Sequence, residues 1–551
     1  MEARLVPPCK PVLVLICFVC LFGVGCSGIR STRTDVGSRV PGVLRIVGLG
    51  SIQTLLPELS NSASTIDPAM NWGAWFYFIN DRGELQPELA TDIPSLRNAG
   101  ISKDGLTITY HLRRGVLWHD GVPFDARDAI FTWHAIMNPA NNVTSRAGYD
   151  DIASMSAPDP YRLLVRLKRP YAPAVATFFA AGGGALPYSV LPEHLLGRLP
   201  DINHAGFNQK PVGTGPFVVD RYEPGTVLVL KANPRYWRGP PKLKEIRWLI
   251  VPDTNTRMVM MRTGEADLFY LAPDNVAAQL KGITGIRLVE KTMNSLVYLS
   301  FNVAHPPLDD VRVRRAISMV VDHDRIIRDV LRGDGEPANG DQPSFLWAFD
   351  PKARAPAHDP AAAADLLNAA GWHLGPDGYR HKNGRRLSLV FVYWTTGTDP
   401  VRFAPIFQSD LRRLGVSISI KTFPDSLYFA SQSAGGILAN GKYDIAWNGW
   451  YGGIDPDDSA LWACDQRPPA GDNFSFFCDP RVDVRERIAL GSNDRATRQK
   501  AYFEIQGLLD EQVPADFLYW SKSINALRDG FRGFKPAPAG SVIWNSWEWS
   551  V

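Results

Sequence analysis

Residues 106–137 read LTITYHLRRGVLWHDGVPFDARDAIFTWHAIM, and this stretch contains both kinds of element from which the fold is built. Its first part alternates apolar and polar side chains from position 106 to 113, which predicts a half-buried strand. Its second part begins at Asp125, a typical N-cap residue, and places apolar side chains near one face up to Met137. A strand followed within one short segment by a capped helix predicts a mixed α/β protein.

The same two patterns recur along the chain without a repeat period. Alternation predicts a second strand at 161–168, and a continuous run of β-branched and leucine residues at 226–230 predicts a strand buried on both faces. Helices are predicted at 310–331 and from Asp399, which precedes a first-turn proline, to residue 414. Because 551 residues are too many for one ordinary core, we expect two or three lobes.

The first 26 residues have the composition of an export signal. An uncharged apolar run from position 11 to 25 is shorter than the roughly 20 residues that span a bilayer. The run ends at Cys26 in the manner of a bacterial lipobox, although Gly23 stands where leucine is usual. We expect residues 1–26 to be a signal peptide, Cys26 to carry a lipid and residues 27–42 to be a tether. The alternatives are an ordinary cleaved signal and an uncleaved anchor.

Cys464 and Cys478 are the two cysteines outside this leader, and they enclose a loop rich in Pro, Gly and Asp. In an oxidising compartment such an isolated pair is expected to form a disulfide. A bridge across a loop of this size would stabilise the fold by about 3 kcal/mol in the loop-entropy estimate. The alternative is a pair of free buried thiols.

The charge balance and the motifs exclude several classes of function. Lys and Arg number 59 against 56 Asp and Glu, so no large single-sign field is available to attract nucleic acid. The sequence contains no nucleophile elbow, no phosphate-binding loop and no His-Glu-x-x-His helix. We therefore expect no catalytic residues, no metal site and no cofactor.

Aromatic residues in polar, glycine-rich surroundings are the candidates for a binding site. Tryptophan and tyrosine in such loops are typical of cleft walls, where flat rings provide contact area and their N–H or O–H groups reach a ligand. The alternative for each residue is packing at an interface between lobes. With two polar neighbours included, the candidate ligand-binding residues are Trp72, Trp75, Tyr393, Trp394, Trp447, Asn448, Trp450, Tyr451 and Asp455.

From about residue 45 to its end, the chain resembles the family 5 extracellular solute-binding proteins, which include the oligopeptide- and dipeptide-binding proteins of ABC importers. The resemblance rests on several segments that occur in the family's order. They are YHLRRG at 110–115, WHDG at 118–121, FDARD at 124–128, PVGTGPF at 211–217, NPRYWRG at 233–239, GEAD at 264–267, Asn302 followed by PLDDVR at 307–312, and the segment 363–372 that ends in Gly-Trp.

The resemblance implies two α/β lobes of the type II periplasmic-binding-protein fold, with an extra inserted domain and with the ligand between the lobes. It assigns lobe I to three separate segments, since the inserted domain and lobe III interrupt it. The implied boundaries are 43–85, 210–291 and 525–551 for lobe I, 86–209 for the inserted domain II and 292–524 for lobe III. Closure of the lobes would bury the ligand and present a new surface to a membrane permease.

The segment 447–456 limits what the resemblance implies about the ligand. Peptide binders of the family hold the peptide α-amino group with an Asp shortly after a Trp, and here that position holds Trp450. A buried ammonium without a carboxylate is costly. Either Asp455 or Asp457 replaces this group, or the ligand is not a free-amine peptide. The family also carries sugars, opines and metal chelates.

These expectations describe a monomeric, lipid-anchored binding protein in the periplasm or at the cell surface. It would capture a peptide or a similar small solute and deliver it to the permease of an ABC importer. Two alternatives from other classes are an exported hydrolase and a ligand sensor on the same lobed scaffold.

Overall fold

The structure is a computed structural model that describes residues 40–48, 50–181 and 188–551. The predicted signal peptide, Cys26 and most of the predicted tether lie outside the described residues. Among the residues that are described, no helix is both long and apolar enough to cross a membrane.

Strands and helices alternate along the whole described chain. The strands are β1 Val43–Val47, β2 Tyr77–Ile79, β3 Leu85–Pro87, β4 Thr107–His111, β5 Ile152–Asp159, β6 Arg162–Leu167, β7 Phe217–Glu223, β8 Val227–Ala232, β9 Glu245–Leu249, β10 Leu268–Phe269, β11 Ile286–Phe301, β12 Gly335–Pro337, β13 His373–Leu374, β14 Arg380–Lys382, β15 Arg385–Arg386, β16 Ser388–Trp394, β17 Ser417–Phe423, β18 Ile445–Tyr451 and β19 Ala515–Arg528.

The α-helices are α1 Ala63–Ala69, α2 Ala126–Met137, α3 Ala174–Thr177, α4 Glu193–Leu196, α5 Thr254–Thr263, α6 Asp274–Leu280, α7 Val311–Ser318, α8 His323–Arg325, α9 Pro360–Ala369, α10 Thr398–Arg413, α11 Asp425–Tyr428, α12 Ser459–Trp462, α13 Pro480–Gly491 and α14 Arg495–Gln512. A π-helical turn covers Ile326–Val330. Short 3₁₀ turns cover Pro57–Leu59, Tyr149–Asp151, Gly206–Asn208, Cys464–Gln466 and Ser546–Glu548.

One large sheet runs through both halves of the molecule in the order β17-β16-β18-β11-β19-β10-β1-β9-β8-β7, with β12 at the side of β19. Its centre is the antiparallel pair of the two longest strands, β11 and β19, in which Ile286 lies opposite Arg528 and Ser300 opposite Ala515. The register of this pair shifts between Thr292 and Leu296. The two long strands therefore connect one half of the sheet to the other, with an irregularity in the middle.

Each half of the sheet has its own hydrophobic core. The core on the β10-β1-β9-β8-β7 half is drawn from three separate parts of the chain, at 44–79, 217–270 and 527–549, together with Ala181. The core on the β18-β16-β17 half is drawn from residues between 299 and 519. Two cores on one mixed sheet confirm the predicted two-lobed α/β fold.

A third core contains apolar residues of the segment 106–137. It consists of residues between 74 and 190 and packs around the small sheet β4-β6-β5 and helix α2. Asp125 caps α2 in a capping box with Asp128, and the Trp118 indole N–H donates to Asp128 at 3.1 Å. The predicted strand and capped helix of 106–137 are both confirmed, as are the strands at 161–168 and 226–230.

Two helix predictions need correction. The single helix predicted at 310–331 is interrupted after Ser318, because the Asp322 side chain accepts from the Arg325 N–H at 2.8 Å and starts a new helix. Asp399 was predicted to cap the next helix, but α10 is capped at Gly397. The Asp399 carboxylate instead accepts a hydrogen bond from the Tyr519 hydroxyl at 2.8 Å.

Candidate functional site

A cavity of about 180 Å³ lies between the domain of the third core and the lobe that contains β18. One side is formed by the last two residues of β18, Trp450 and Tyr451, and by residues of the segment 452–460 that follows the strand. The other side is formed by residues between 145 and 188, whose backbone reaches the second lobe where the Ala172 N–H donates to the Leu490 carbonyl at 2.8 Å. Residues from two parts of the chain that are far apart in sequence therefore line the cavity.

The acidic wall, residues 450–457, is held in place by backbone contacts to β11. Strand β18 pairs antiparallel with β11, so that Trp450 lies opposite Leu296. The chain then turns at Gly452, where an added Cβ would lie 2.4 Å from the Asn294 amide nitrogen. Asn294 also donates to the Gly453 carbonyl at 2.6 Å. A side chain at position 452 would therefore have to displace the Asn294 amide from this contact.

The acidic wall presents two carboxylates that differ in their ion pairing. Asp455 forms a bidentate ion pair with Arg498, at 2.6 and 2.8 Å, and both side chains are about nine-tenths buried. Asp457 accepts from the backbone N–H and the hydroxyl of Ser459, at 3.1 and 2.6 Å. Burial raises the pKa of Asp457, and no cation forms an ion pair with it among the described residues. The charge of Asp455 is thus compensated within the protein, whereas that of Asp457 is not.

The tyrosine wall, Tyr149, Tyr171 and Tyr188, faces the acidic wall. The Tyr149 oxygen accepts from the Phe179 N–H at 2.9 Å, and the Tyr188 hydroxyl donates to the Ser145 carbonyl at 2.7 Å. Because these hydroxyls are bonded to the backbone, they hold the rings in position. Burial raises the pKa of Tyr171, and the neighbouring Asp457 and Asp455 raise it further. The tyrosine wall and the two carboxylates therefore belong to one site.

Glu58 supports the tyrosine wall from behind. Its Oε1 accepts from the backbone N–H and the hydroxyl of Ser189, at 2.8 and 2.9 Å. Burial raises the pKa of Glu58 to about 7. Near pH 7 this carboxyl is therefore about half protonated while it holds the segment next to Tyr188.

Trp450, Tyr451 and Asp455 are the predicted site residues that line the cavity. Tyr451 is 78% exposed, and Trp450 is half-buried against a further hydrophobic core that includes Leu296 and Tyr298. The tyrosine wall was not predicted, because its residues are far from the acidic wall in sequence. In the sequence, their aromatic side chains were the one feature that could have marked these tyrosines as candidate binding residues.

Other predicted site residues lie in hydrophobic cores and do not line this cavity. Trp72 and Trp75 belong to the first lobe's core at 2% and 0% exposure. Trp447 packs in the second lobe's core against Phe403, with ring centroids 5.1 Å apart. The glycines near Trp72 allow close backbone packing rather than ligand access, since a Cβ at Gly213 would lie 1.6 Å from the Trp72 carbonyl oxygen.

The remaining predicted residues also lie away from the cavity lining. Tyr393 is 7% exposed within the second lobe's core. Trp394 packs against the ring of Phe429, with centroids 5.2 Å apart. Asn448 is buried and its amide donates to the Ser300 hydroxyl at 2.7 Å. These three side chains support the sheet on which the acidic wall is built.

Two further features concern the chemistry of the site. The structure joins Cys464 and Cys478 by a disulfide that closes the loop after α12. Among the described residues, no group of three or more His, Cys, Asp and Glu side chains could hold a metal ion.

A two-lobed α/β fold with a third core and a cavity between folding units defines a bilobal ligand-binding protein. Residues 84–471 match the family described as bacterial extracellular solute-binding proteins, family 5. This match covers more than half of the sequence. The chain belongs to this family.

Individual relatives are similar over most of their length. Protein XP55 of Streptomyces lividans is 30% identical over 455 residues, which cover 82% of this chain and 79% of that protein. The di/tripeptide-binding protein 2 of Pseudomonas aeruginosa is 29% identical over 487 residues, which cover 83% and 87% of the two chains. The structure of NikZ from Campylobacter jejuni in complex with Ni(L-His) is similar with a TM-score of 0.75 and 27% identity, over 93% of this chain and 100% of that one.

Proposed function

We propose that this chain is the substrate-binding protein of an ABC importer and that it captures a short peptide outside the cytoplasmic membrane. The observation that carries the proposal is the cavity between the acidic wall and the tyrosine wall. Membership of the solute-binding family supports it, and so does a relative whose name describes it as a di/tripeptide-binding protein.

The size of the cavity favours a small ligand. Pockets for drug-sized molecules measure about 300–1,000 Å³, and this cavity measures about 180 Å³. A dipeptide or tripeptide fits this scale better than a long oligopeptide does.

Asp457 is the group that we propose to bind the peptide α-ammonium. An unpaired carboxylate in a buried site is costly, and a bound ammonium would offset this cost. Asp455, the other sequence candidate, already has Arg498 as its partner. Burial favours the neutral form of Asp457 in the empty site, so ammonium binding should also lower its pKa.

The experiment is calorimetric titration of a dipeptide library into the mature protein, followed by the Asp457→Asn variant. We expect one or more dipeptides to bind, and the variant to bind them at least tenfold more weakly. The matched control is Asp465→Asn, an exposed carboxylate of the same lobe, which should leave the affinity unchanged. Unchanged affinity in Asp457→Asn would exclude Asp457 as the ammonium partner.

We further propose that the protein releases its ligand intact and is not an enzyme. Incubation of a bound dipeptide with the protein, followed by mass spectrometry, should recover the peptide without hydrolysis products. Free amino acids in proportion to the protein would favour the hydrolase alternative. Normal binding together with unchanged peptide uptake in a deletion strain would favour the sensor alternative.

The same proposal includes export, a lipid at Cys26 and a monomeric mature chain anchored at a membrane. Changing Cys26 to Ala should release the protein from the membrane fraction, and an unchanged fraction would contradict the anchor. We propose the Cys464–Cys478 bridge for the exported protein too, and thiol titration of unreduced material should find no free thiol in residues 43–551. The domain boundaries inferred from the resemblance belong to this proposal as well.

A further inference from the structure

The cavity is lined by acidic, aromatic and small side chains. Asp455 and Asp457 are its charged residues, and no Lys, Arg or His lines it in the part of the chain that the structure describes. A negatively charged end of a ligand therefore finds no cationic partner on these walls.

Basic residues close to the cavity are engaged elsewhere. Arg498 directs both terminal nitrogens of its guanidinium to Asp455, and its Nε is buried. Arg146, which lies between two lining residues, donates to the carbonyls of Asn138 and Asn141 at 3.0 Å. Arg169 pairs with Asp151 at 2.8 Å. None of these cations turns towards the cavity.

Aromatic rings dominate the rest of the lining. Three tyrosines come from one wall, while Trp450 and Tyr451 come from the other. Ring faces attract cations through the quadrupole of the π-system, and this attraction grows as water is removed. A carboxylate placed among the same rings and beside Asp457 would gain no such attraction.

Resting on the function proposed above, we propose that this site recognises the cationic end and the apolar body of its ligand and does not recognise a carboxylate. The ligand class is an organic cation, such as a peptide with a free α-ammonium, in which the acid group contributes nothing to binding. Asp457 supplies the charge, and the rings of the two walls supply the apolar contact.

A set of matched peptides tests this inference. For a dipeptide with apolar side chains that binds, we measure calorimetric affinities of the free acid, its C-terminal amide and its N-acetyl form. The amide should bind at least as tightly as the free acid, and the N-acetyl form at least tenfold more weakly. An amide that binds tenfold more weakly than the free acid would overturn the inference.

The Asp457→Asn variant provides a second readout. It removes the negative charge next to the ligand, so the ratio of amide to free-acid affinity should fall towards one or below it. An unchanged preference for the amide would show that Asp457 does not set the charge selectivity, and this would contradict the proposal.

A separate probe distinguishes this inference from the function on which it rests. Phenethylamine has a cationic end and an aromatic body but no carboxylate and no peptide bond. If no dipeptide form binds and phenethylamine does, the peptide proposal fails while the cation selectivity holds. If dipeptide acids bind but their amides do not, the peptide proposal holds and the cation inference fails. If none of the cationic probes binds, the inference is overturned.

Discussion

The two walls of the cavity are supported in opposite ways. Behind the acidic wall, Asp455 and Arg498 form a nearly buried ion pair at 2.6 Å, so that wall depends on two charges being present. Behind the tyrosine wall, Glu58 is fully buried without a cationic partner among the described residues, so that wall is most stable when the charge is absent. Removing a charge should therefore weaken the first wall and strengthen the second.

The largest effect is expected from Arg498→Met. It would leave the Asp455 carboxylate buried without its partner, which costs about 3–5 kcal/mol of stability. Urea denaturation of the purified variant measures this loss. Arg485→Met is the matched control, because its ion pair with Glu504 is more exposed, at 34% and 40%. Such a pair contributes about 0–1 kcal/mol to stability. Equal losses of stability in the two variants would contradict the view that burial makes the Asp455–Arg498 pair costly to break.

A double variant sharpens the same test. Adding Asp455→Asn to Arg498→Met removes the unpaired charge, so part of the lost stability should return. If the double variant is less stable than Arg498→Met alone, then packing of the arginine side chain accounts for the loss and the ion pair does not.

The opposite behaviour is expected of Glu58→Gln. The pKa of Glu58 is 4.5 in an unperturbed carboxyl and about 7 in the folded protein. Because the folded state holds the proton more tightly, the stability from this group is fully present below pH 4.5 and is lost as pH rises to 7. At about 1.4 kcal/mol per pKa unit, the loss is on the order of 3 kcal/mol. Glutamine stays neutral, so the variant should be more stable than the parent protein at pH 8.

Denaturation at pH 5 and pH 8 measures this difference. The parent protein should lose more stability than Glu58→Gln between the two values, because Glu58 ionises in between. Glu193→Gln, which changes an exposed carboxyl of the same region, serves as control and should follow the parent protein. Burial also raises the pKa of Asp67 to about 7. Asp67 therefore makes its own contribution to the dependence of stability on pH. Parallel curves for the parent protein and Glu58→Gln would refute the account of the tyrosine wall.

The acidic wall could be predicted from the sequence, and the tyrosine wall could not. Trp450, Tyr451 and Asp455 are adjacent in sequence, so residue type and resemblance together were enough to find them. The tyrosines reach the cavity only through the folding of another domain, which composition and periodicity do not specify. The fold itself was predictable at the level of strands, helices and lobes, since local patterns determine these.

The predicted site tryptophans that lie in the cores illustrate a limit of the sequence. A glycine beside an aromatic residue leaves room either for a ligand or for another segment of backbone, and the sequence does not distinguish the two. At Gly213 the room is taken by the backbone carbonyl of Trp72. At Trp450 the neighbouring Gly452 accommodates Asn294, and the ring itself remains at the cavity.

Trp447 and Trp450 allow this distinction to be tested within one strand. Trp450→Ala should weaken ligand binding by about 1–3 kcal/mol, the usual cost of losing an aromatic anchor, with a smaller loss of fold stability. Trp447→Ala should instead cost about 3–5 kcal/mol of stability through the cavity it leaves in the core. Calorimetry and thermal denaturation on both variants separate the two roles. Unchanged affinity in folded Trp450→Ala would remove this residue from the site.

The smallest effect is expected from Tyr451→Ala, at the edge of the acidic wall. Its side chain is 78% exposed, so its ring is in water on one side even when the cavity is filled. An exposed ring contributes about 0.5–1 kcal/mol to holding a cation, which corresponds to a loss of roughly two- to fivefold in affinity. Tyr451→Phe is the matched control, because it keeps the ring and should bind like the parent protein. A loss of affinity in Tyr451→Ala as large as that in Trp450→Ala would mean that Tyr451 becomes buried against the ligand. The two aromatic residues of the acidic wall would then contribute equally to binding.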